Sequence, residues 1–375
     1  MMQMHWVKGT VARQAHLNIP EGLFEDEHGR EGFFGPVSHL YRKNPPTGWN
    51  RIEGPLKPRS FDCNRLGVAD KDAIMARTPV LLNNDVRISV SQPNVATMPF
   101  YFRNADADEV NFIHRGEGVL ETDFGPIEFK QGDYLVIPRG TTYRFVCETT
   151  PYILTIESLG SAYREPDRGI LGQHALYDPA MITVPEPAMG TLEADSQGEW
   201  EVRVQREGEM TGIFYPFNPL DVVGWKGNLT AWKISVHDIC PVLSHKSHLP
   251  PSVHSTFIAK NFVICSFVPR PLETEPGAMR VPFYHRNIDY DEVLFYHDGN
   301  FFSRDGIEPG MITFHPQGFH HGPHPDAIEA SKQIEWTDEI AVMIDTRYPL
   351  RMTPEAHAAE NPNYVNSWRS STVCP

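Results

Sequence analysis

Residues 101–110 read YFRNADADEV and residues 284–293 read YHRNIDYDEV, so the chain writes one phrase twice with seven of ten positions identical. The correspondence runs on past the phrase. Gly116 lies seven residues after Glu109, and Gly299 lies seven after Glu292. Further along, GDYLVIPRGTTY (132–143) aligns with GMITFHPQGFHH (310–321), matching Gly132 with Gly310, Pro138 with Pro316, Gly140 with Gly318 and Tyr143 with His321. Two stretches with the same spacing and the same turn residues point to one folding unit used twice. The copies part company at Phe102 and His285, so a potential metal ligand stands in one half only.

Around the repeat the pattern is that of strands. Short apolar or alternating runs, among them VLLNNDVRISVSQ, TPYILTIESL, NFVICSFVP and DEVLFYHDGNFFS, are punctuated by 33 prolines and 28 glycines. Turn residues at such short intervals predict an all-β chain of antiparallel sandwiches or barrels. Helical spacing is scarce and predicts only short helices, near Asp326–Lys332 and Thr353–Ala359. The expected organisation is an arm over 1–75, wrapping the body or a neighbouring subunit, then β-domains over 76–200 and 201–352, then a tail over 353–375. The polar stretch 186–208 is expected to connect the halves.

At 375 residues the chain is long enough for two cores. No apolar run reaches the roughly 18–20 residues of a membrane span, and the N-terminus lacks a signal-peptide core. A formal charge of −15 without a basic, aromatic-laced patch argues against nucleic acid. The five cysteines (Cys63, Cys147, Cys240, Cys265, Cys374) are scattered and form no CxxC pair, which reads as reduced thiols in a cytoplasmic protein. Seventeen histidines are many for this length, and they crowd between residues 237 and 324.

The two blocks resemble the paired motifs of the cupin superfamily, G-x5-HxH-x3-4-E-x6-G followed by G-x5-PxG-x2-H. The resemblance implies a duplicated jelly-roll β-barrel with few short helices. It also implies a metal held by His285, Glu292 and His321 in the second barrel, with Asn287 where the family has another histidine. Two imidazoles and one carboxylate with open positions suit non-haem Fe(II) and dioxygen. The first barrel has Phe102, Asn104, Glu109 and Tyr143 at these places. It is expected to be structural, with Phe102 and Tyr143 as core filling and Glu109 bonded to Arg103.

FYHRN (283–287), HGPHPDAIEASK (321–332), FNPLDVVGWKGN (217–228), HLPPSVHSTFIAK (248–260) and REGFFGPVSHLYRKNPPTGW (30–49) resemble the homogentisate 1,2-dioxygenase family. That resemblance implies Fe(II)-dependent ring cleavage of a small aromatic acid by O2, giving maleylacetoacetate in tyrosine and phenylalanine catabolism, in a trimer or hexamer. It places catalytic histidines at His248 and His315. Asn287, Arg286, Tyr296, Phe301 and Arg304 are the candidates for substrate contact. Two departures stand out. The histidine-to-glutamate interval is one residue longer than the family's, in both repeats, so a longer turn or bulge has to keep the glutamate facing inward. Phe301 also stands where better-known members carry a tyrosine, which keeps another substituted hydroquinone or a gentisate-like acid in view as substrate. A Zn or Mn isomerase and a non-catalytic binding cupin are the readings outside the oxygenase class. Of the remaining histidines, His320 is expected to point away from His321, His324 to face solvent, and His297 and His237 to be ordinary polar positions.

Overall fold

The computed structural model describes residues 6–67, 70–187, 198–280, 282–331 and 333–368. Strands dominate, and the two α-helices, Pro325–Ser331 and Pro354–Ala359, fall where the sequence predicts them. Strands Gly118–Thr122 and Gly125–Phe129 bury every second residue, as expected where one face of a sheet meets the core. Asp133–Ile137 and Tyr152–Ser158 are buried at every position. Their second face is covered by the other barrel: Phe112, Tyr134 and Tyr152 share one apolar cluster with Phe295, Ile312 and Ile344. The repeated glycines are backbone requirements. Gly116 and Gly299 have φ of +99° and +90°, and a β-carbon at either would strike the backbone of Pro151 or Asp338.

The halves are not successive blocks of sequence. Tyr101–Asn104 in the first barrel pairs in parallel with Trp200–Arg206, which turns back into Glu209–Tyr215. Its counterpart Tyr284–Asn287 pairs in parallel with Phe24–Gly29, which turns back into Val37–Arg42. The hairpin that precedes each barrel in sequence therefore packs on the other one. A second exchange runs the same way: Arg59–Phe61 pairs with Ile312–His315, and Trp232–Ser235 with Asp133–Ile137.

This exchange corrects the expected domain limits. Residues 200–235 supply strands to the first barrel's sheets, so a cut at 200/201 divides one body. Within the expected arm, Phe24–Gly29, Val37–Arg42 and Arg59–Phe61 are strands paired onto the second barrel, so the arm wraps the body. Of the expected tail, the described residues 353–368 are packed, with Tyr364 and Trp368 buried, and 369–375 lie outside the described residues. Of the expected connector at 186–208, residues 188–197 lie outside the described residues and Trp200–Arg206 is a strand.

At the seam between the barrels, His114 Nδ1 lies 2.9 Å from His297 Nδ1, with both rings buried. His297 is thus more than an ordinary polar position. Burial first, then the charges of His297 and Arg115, push His114 down to about 3, and burial pushes His297 down to about 4. The unfolded imidazoles take up protons near pH 6.5, so between there and pH 4 the unfolded chain binds more protons than the folded one. Stability therefore falls as the pH falls through this window, by up to about 1.4 kcal/mol per pH unit for each histidine. In urea titrations from pH 7 to 4, His297→Gln is expected to flatten this loss by one histidine's share. An unchanged slope would remove the pair as its cause.

Candidate metal centre

Alternation along Tyr284–Asn287 turns His285 and Asn287 to one side and Tyr284 and Arg286 to the other. His321 joins His285 through a two-way bridge: the His285 N–H donates to His321 O at 2.9 Å, and the His321 N–H donates back at 3.0 Å. Glu292 arrives from the next strand, Asp291–Asp298. The extra residue in the histidine-to-glutamate interval is absorbed by the turn 288–290, where Asn287 Oδ1 accepts the Asp289 N–H at 3.3 Å. Asn104 caps the same turn in the first barrel.

The Nε2 atoms of His285 and His321 lie 3.7 and 3.3 Å from Glu292 Oε2. Each ring's Nδ1 donates to the carbonyl two residues earlier, Phe283 O at 3.1 Å and Phe319 O at 3.2 Å, which leaves both Nε2 lone pairs facing the carboxylate. Ligand atoms about 2.0–2.1 Å from one ion stand about 3.0–3.4 Å apart, so a small closure completes the set. His285 Nε2 is buried without a hydrogen-bond partner. An orphaned imidazole nitrogen beside a buried carboxylate fits a divalent cation. Burial raises the Glu292 carboxyl's pKa, but the imidazoles that face it, His321 foremost, outweigh burial and hold the group well below its ordinary range. Burial, with His285's charge, pushes His321 down to about 3, so it is a neutral ligand near pH 7.

His315 supports this set rather than facing His248. Its Nδ1 lies 2.7 Å from Glu292 Oε1 and its Nε2 lies 3.3 Å from the Tyr364 hydroxyl. It follows that His315 positions the carboxylate, in place of the catalytic role that the resemblance implies for it.

The first barrel shows what replaces a metal. Phe102 and Tyr143 are fully buried where the second barrel has His285 and His321. Glu109 is bonded to Arg77, whose Nη1 and Nη2 donate to Oε1 and Oε2 at 2.7 and 2.9 Å. Tyr143 O–H and Asn104 Nδ2 each donate to the same carboxylate at 2.7 Å. The guanidinium also sits 5.6 Å from the centroid of the Phe102 ring. A built-in cation thus neutralises the carboxylate. The expected partner, Arg103, points the other way and donates to Thr142 Oγ1, because it is one residue on from Phe102 along a strand.

Beside the second barrel's triad lies a cavity of about 240 Å³, lined among others by Phe33, His39, Glu27, His16 and His248. The Phe33 ring, part of that lining, is 5.4 Å from the His285 ring; His285, Glu292 and His321 are not themselves in the described lining. His248 Nδ1 lies 2.8 Å from Glu273 Oε1. Burial raises the Glu273 pKa, but the bond from His248 outweighs it and keeps the carboxyl ionised. A larger cavity, about 720 Å³, is lined by first-barrel residues such as Thr122 and Ile127 and carries no part of the triad.

The other expected contacts fall elsewhere. Arg286 donates to His28 Nδ1 on the opposite face of its strand from His285. Tyr296 bonds Thr313 through its hydroxyl and packs on Phe301, both buried, and Arg304 donates to the carbonyls of Ser303 and Gly322. His320 bonds Asp26, turned away from His321 as expected. His324 is buried against Trp368, contrary to the solvent-facing expectation, with Nδ1 accepting the Asp305 N–H at 3.0 Å. Sequence reasoning missed Arg77, Glu273, Phe33, His16, Glu27 and His39. The last four come from the exchanged arm, whose histidines and glutamates stand in a run of alternating residues that marks a strand but not its partner.

A doubled, all-β barrel is the architecture of a duplicated cupin, here with a buried two-histidine, one-carboxylate set that could hold a metal in one barrel. Residues 70–236 match the family description "Homogentisate 1,2-dioxygenase N-terminal" and residues 238–373 match "Homogentisate 1,2-dioxygenase C-terminal"; the chain belongs to this family. A Saccharolobus solfataricus protein whose name goes no further than a provisional "dioxygenase" is 34% identical, over 97% of this chain and 98% of its own. The homogentisate 1,2-dioxygenase of Bradyrhizobium diazoefficiens is 28% identical over 72% of this chain, and the match spans 62% of that relative's length. Among solved structures, a cupin 2 conserved barrel domain protein from Leptotrichia buccalis is 12% identical with a TM-score of 0.34, covering 77% of this chain and 96% of that one. Among the described residues no helix is long and apolar enough to cross a membrane.

Proposed function

We propose that the chain is an Fe(II)-dependent ring-cleaving dioxygenase that opens homogentisate with O2 to give maleylacetoacetate. The observation that carries this is the His285–Glu292–His321 set beside a cavity lined by Phe33 and His248. Bound there, Fe(II) supplies a Lewis acid for a phenolate and open positions for O2. The residues supply the rest. Glu273 fixes the His248 tautomer with the proton on Nδ1, so Nε2 is free to take the proton of the substrate's second hydroxyl. Phe33 offers an apolar wall for the ring and keeps water from that side. His315 and Tyr364 hold Glu292 in place from behind. Both oxygen atoms enter the product as one ring C–C bond opens, so no external reductant is consumed.

Oxygen uptake by the Fe(II)-reconstituted chain with homogentisate tests this reading. His248→Ala is expected to retain iron while kcat falls about 100- to 10,000-fold. An unchanged kcat would move the base elsewhere, and no uptake by the wild-type chain would end the reading. Phe301, buried where better-known members carry tyrosine, supports a second substrate reading: a gentisate-like acid or another substituted hydroquinone. Uptake with gentisate and none with homogentisate would select it.

A further inference from the structure

The exchanged hairpin lays a second row of ligands beside the first. In the parallel pairing Glu27 stands opposite His285, and in the antiparallel pairing it stands opposite His39. Side chains of directly paired residues share a sheet face, so His285, Glu27 and His39 form one row across three strands. His16 closes over this row with its ring stacked on Phe283 at 4.7 Å. Glu27 Oε2 lies 3.0 Å from His39 Nε2 and 3.7 Å from His16 Nε2. These spacings match the 3.3 and 3.7 Å of the iron-type triad, and the composition is again two Nε2 atoms and one carboxylate oxygen. His16 is 6% exposed, and its Nδ1, though 2.7 Å from Glu25 Oε1, is out of line for a hydrogen bond and has no hydrogen-bonding partner. Its backbone sits at φ +63°, a left-handed conformation uncommon for a residue with a side chain.

Internal symmetry supplies the independent argument. Arg203 pairs with Phe102 as Glu27 pairs with His285, and Glu201 stands where Glu25 does. In that half Arg203 Nε donates to Glu201 Oε1 at 2.7 Å and its guanidinium lies 3.8 Å over the Phe100 ring. The corresponding place in the second half has Glu25, Glu27, His16 and His39, and no lysine or arginine appears in the described lining of the cavity beside it. The first barrel thus meets both positions with guanidinium groups, Arg77 and Arg203. Its partner offers ligands at both.

We infer that His16, Glu27 and His39 bind a second divalent transition-metal ion, of the Zn²⁺ class, on the wall of the His248 cavity. Two imidazoles and a carboxylate are the donor set such ions take, and the remaining position opens to the cavity. The site does not depend on the ring-cleavage reading.

The test counts metal rather than turnover. The full chain is stripped with chelator, loaded with Co²⁺, dialysed, and assayed for cobalt by elemental analysis and visible absorption. Two equivalents are expected in the wild type, one in His39→Ala, one in His321→Ala and none in the double variant. Glu27→Gln is expected to behave as His39→Ala, and circular dichroism reports whether each variant is folded. One equivalent in the wild type, lost in His321→Ala and kept in His39→Ala, would overturn the inference. So would two equivalents that survive both arm substitutions. No substrate is present, so failure here and failure of the oxygen-uptake assay are read separately.

Discussion

Arg77→Met is expected to lower the free energy of unfolding by about 3–5 kcal/mol, measured by urea denaturation at pH 7. The substitution keeps most of the volume and removes the guanidinium bonded to Glu109, leaving an ionised carboxylate sealed among Phe102, Tyr143 and Asn104. The cost is that of an uncompensated buried charge, which exceeds the net contribution of the pair itself. Adding Glu109→Gln to Arg77→Met is therefore expected to recover most of the loss, since a neutral amide keeps acceptor and donor capacity without the charge. The pair's contribution has a pH sign. Burial raises the Glu109 pKa, but Arg77 outweighs it and holds the group below its ordinary range. Stabilisation is then complete above about pH 4.3 and is lost as the pH falls through the lowered value. Equal stability of Arg77→Met and wild type at pH 7 would show that the guanidinium is not the cation of the silent barrel.

His285→Ala is expected to abolish iron loading and, with it, oxygen uptake. Removing one of three protein ligands costs more than the roughly 10- to 100-fold that altered supporting contacts cost, so iron should fall below detection after dialysis. His315→Ala gives the contrast. It leaves all three ligands and removes the imidazole behind Glu292 Oε1, so iron affinity should drop about 10- to 100-fold and be recovered at high Fe(II). The pair separates a ligand from a positioning residue. Full iron content in His285→Ala would exclude it from the centre.

Much of this molecule was legible in one dimension because the information was local. The doubled phrase, its glycines and the strand periodicity specify two like barrels, and the Phe102/His285 difference marks which one has the candidate metal set. Arg103 and Arg286 could have been read correctly from alternation alone: each follows the inward residue and so must face outward. Other features were illegible for a physical reason. Arg77 reaches Glu109 from outside the repeat, and nothing in its neighbours announces a buried guanidinium. Glu27 and His39 read as polar positions of an arm until the pairing with Tyr284–Asn287 brings them beside His285, and strand pairing across such a separation leaves no periodic trace. The burial of His324 is illegible in its own neighbours because Trp368, whose ring covers it, is distant in sequence.

The crossed hairpins also set an order of assembly on the ribosome. Strand Phe24–Gly29 pairs in parallel with residues synthesised 258 positions after it, as the His28–Arg286 contact records. At about 5–20 residues per second that is a wait of roughly 10–50 s with one edge, the one opposite Val37–Arg42, left bare. The first barrel must likewise wait for residues 200–235 before its own sheets are complete. Neither barrel can close before its sibling's leading segment is in hand, and the strand bearing His285 is flanked only after a segment made long before it has been retrieved. A gene cut between the barrels would thus yield two fragments, each holding strands that belong to the other, which co-expression should reunite and separate expression should not rescue.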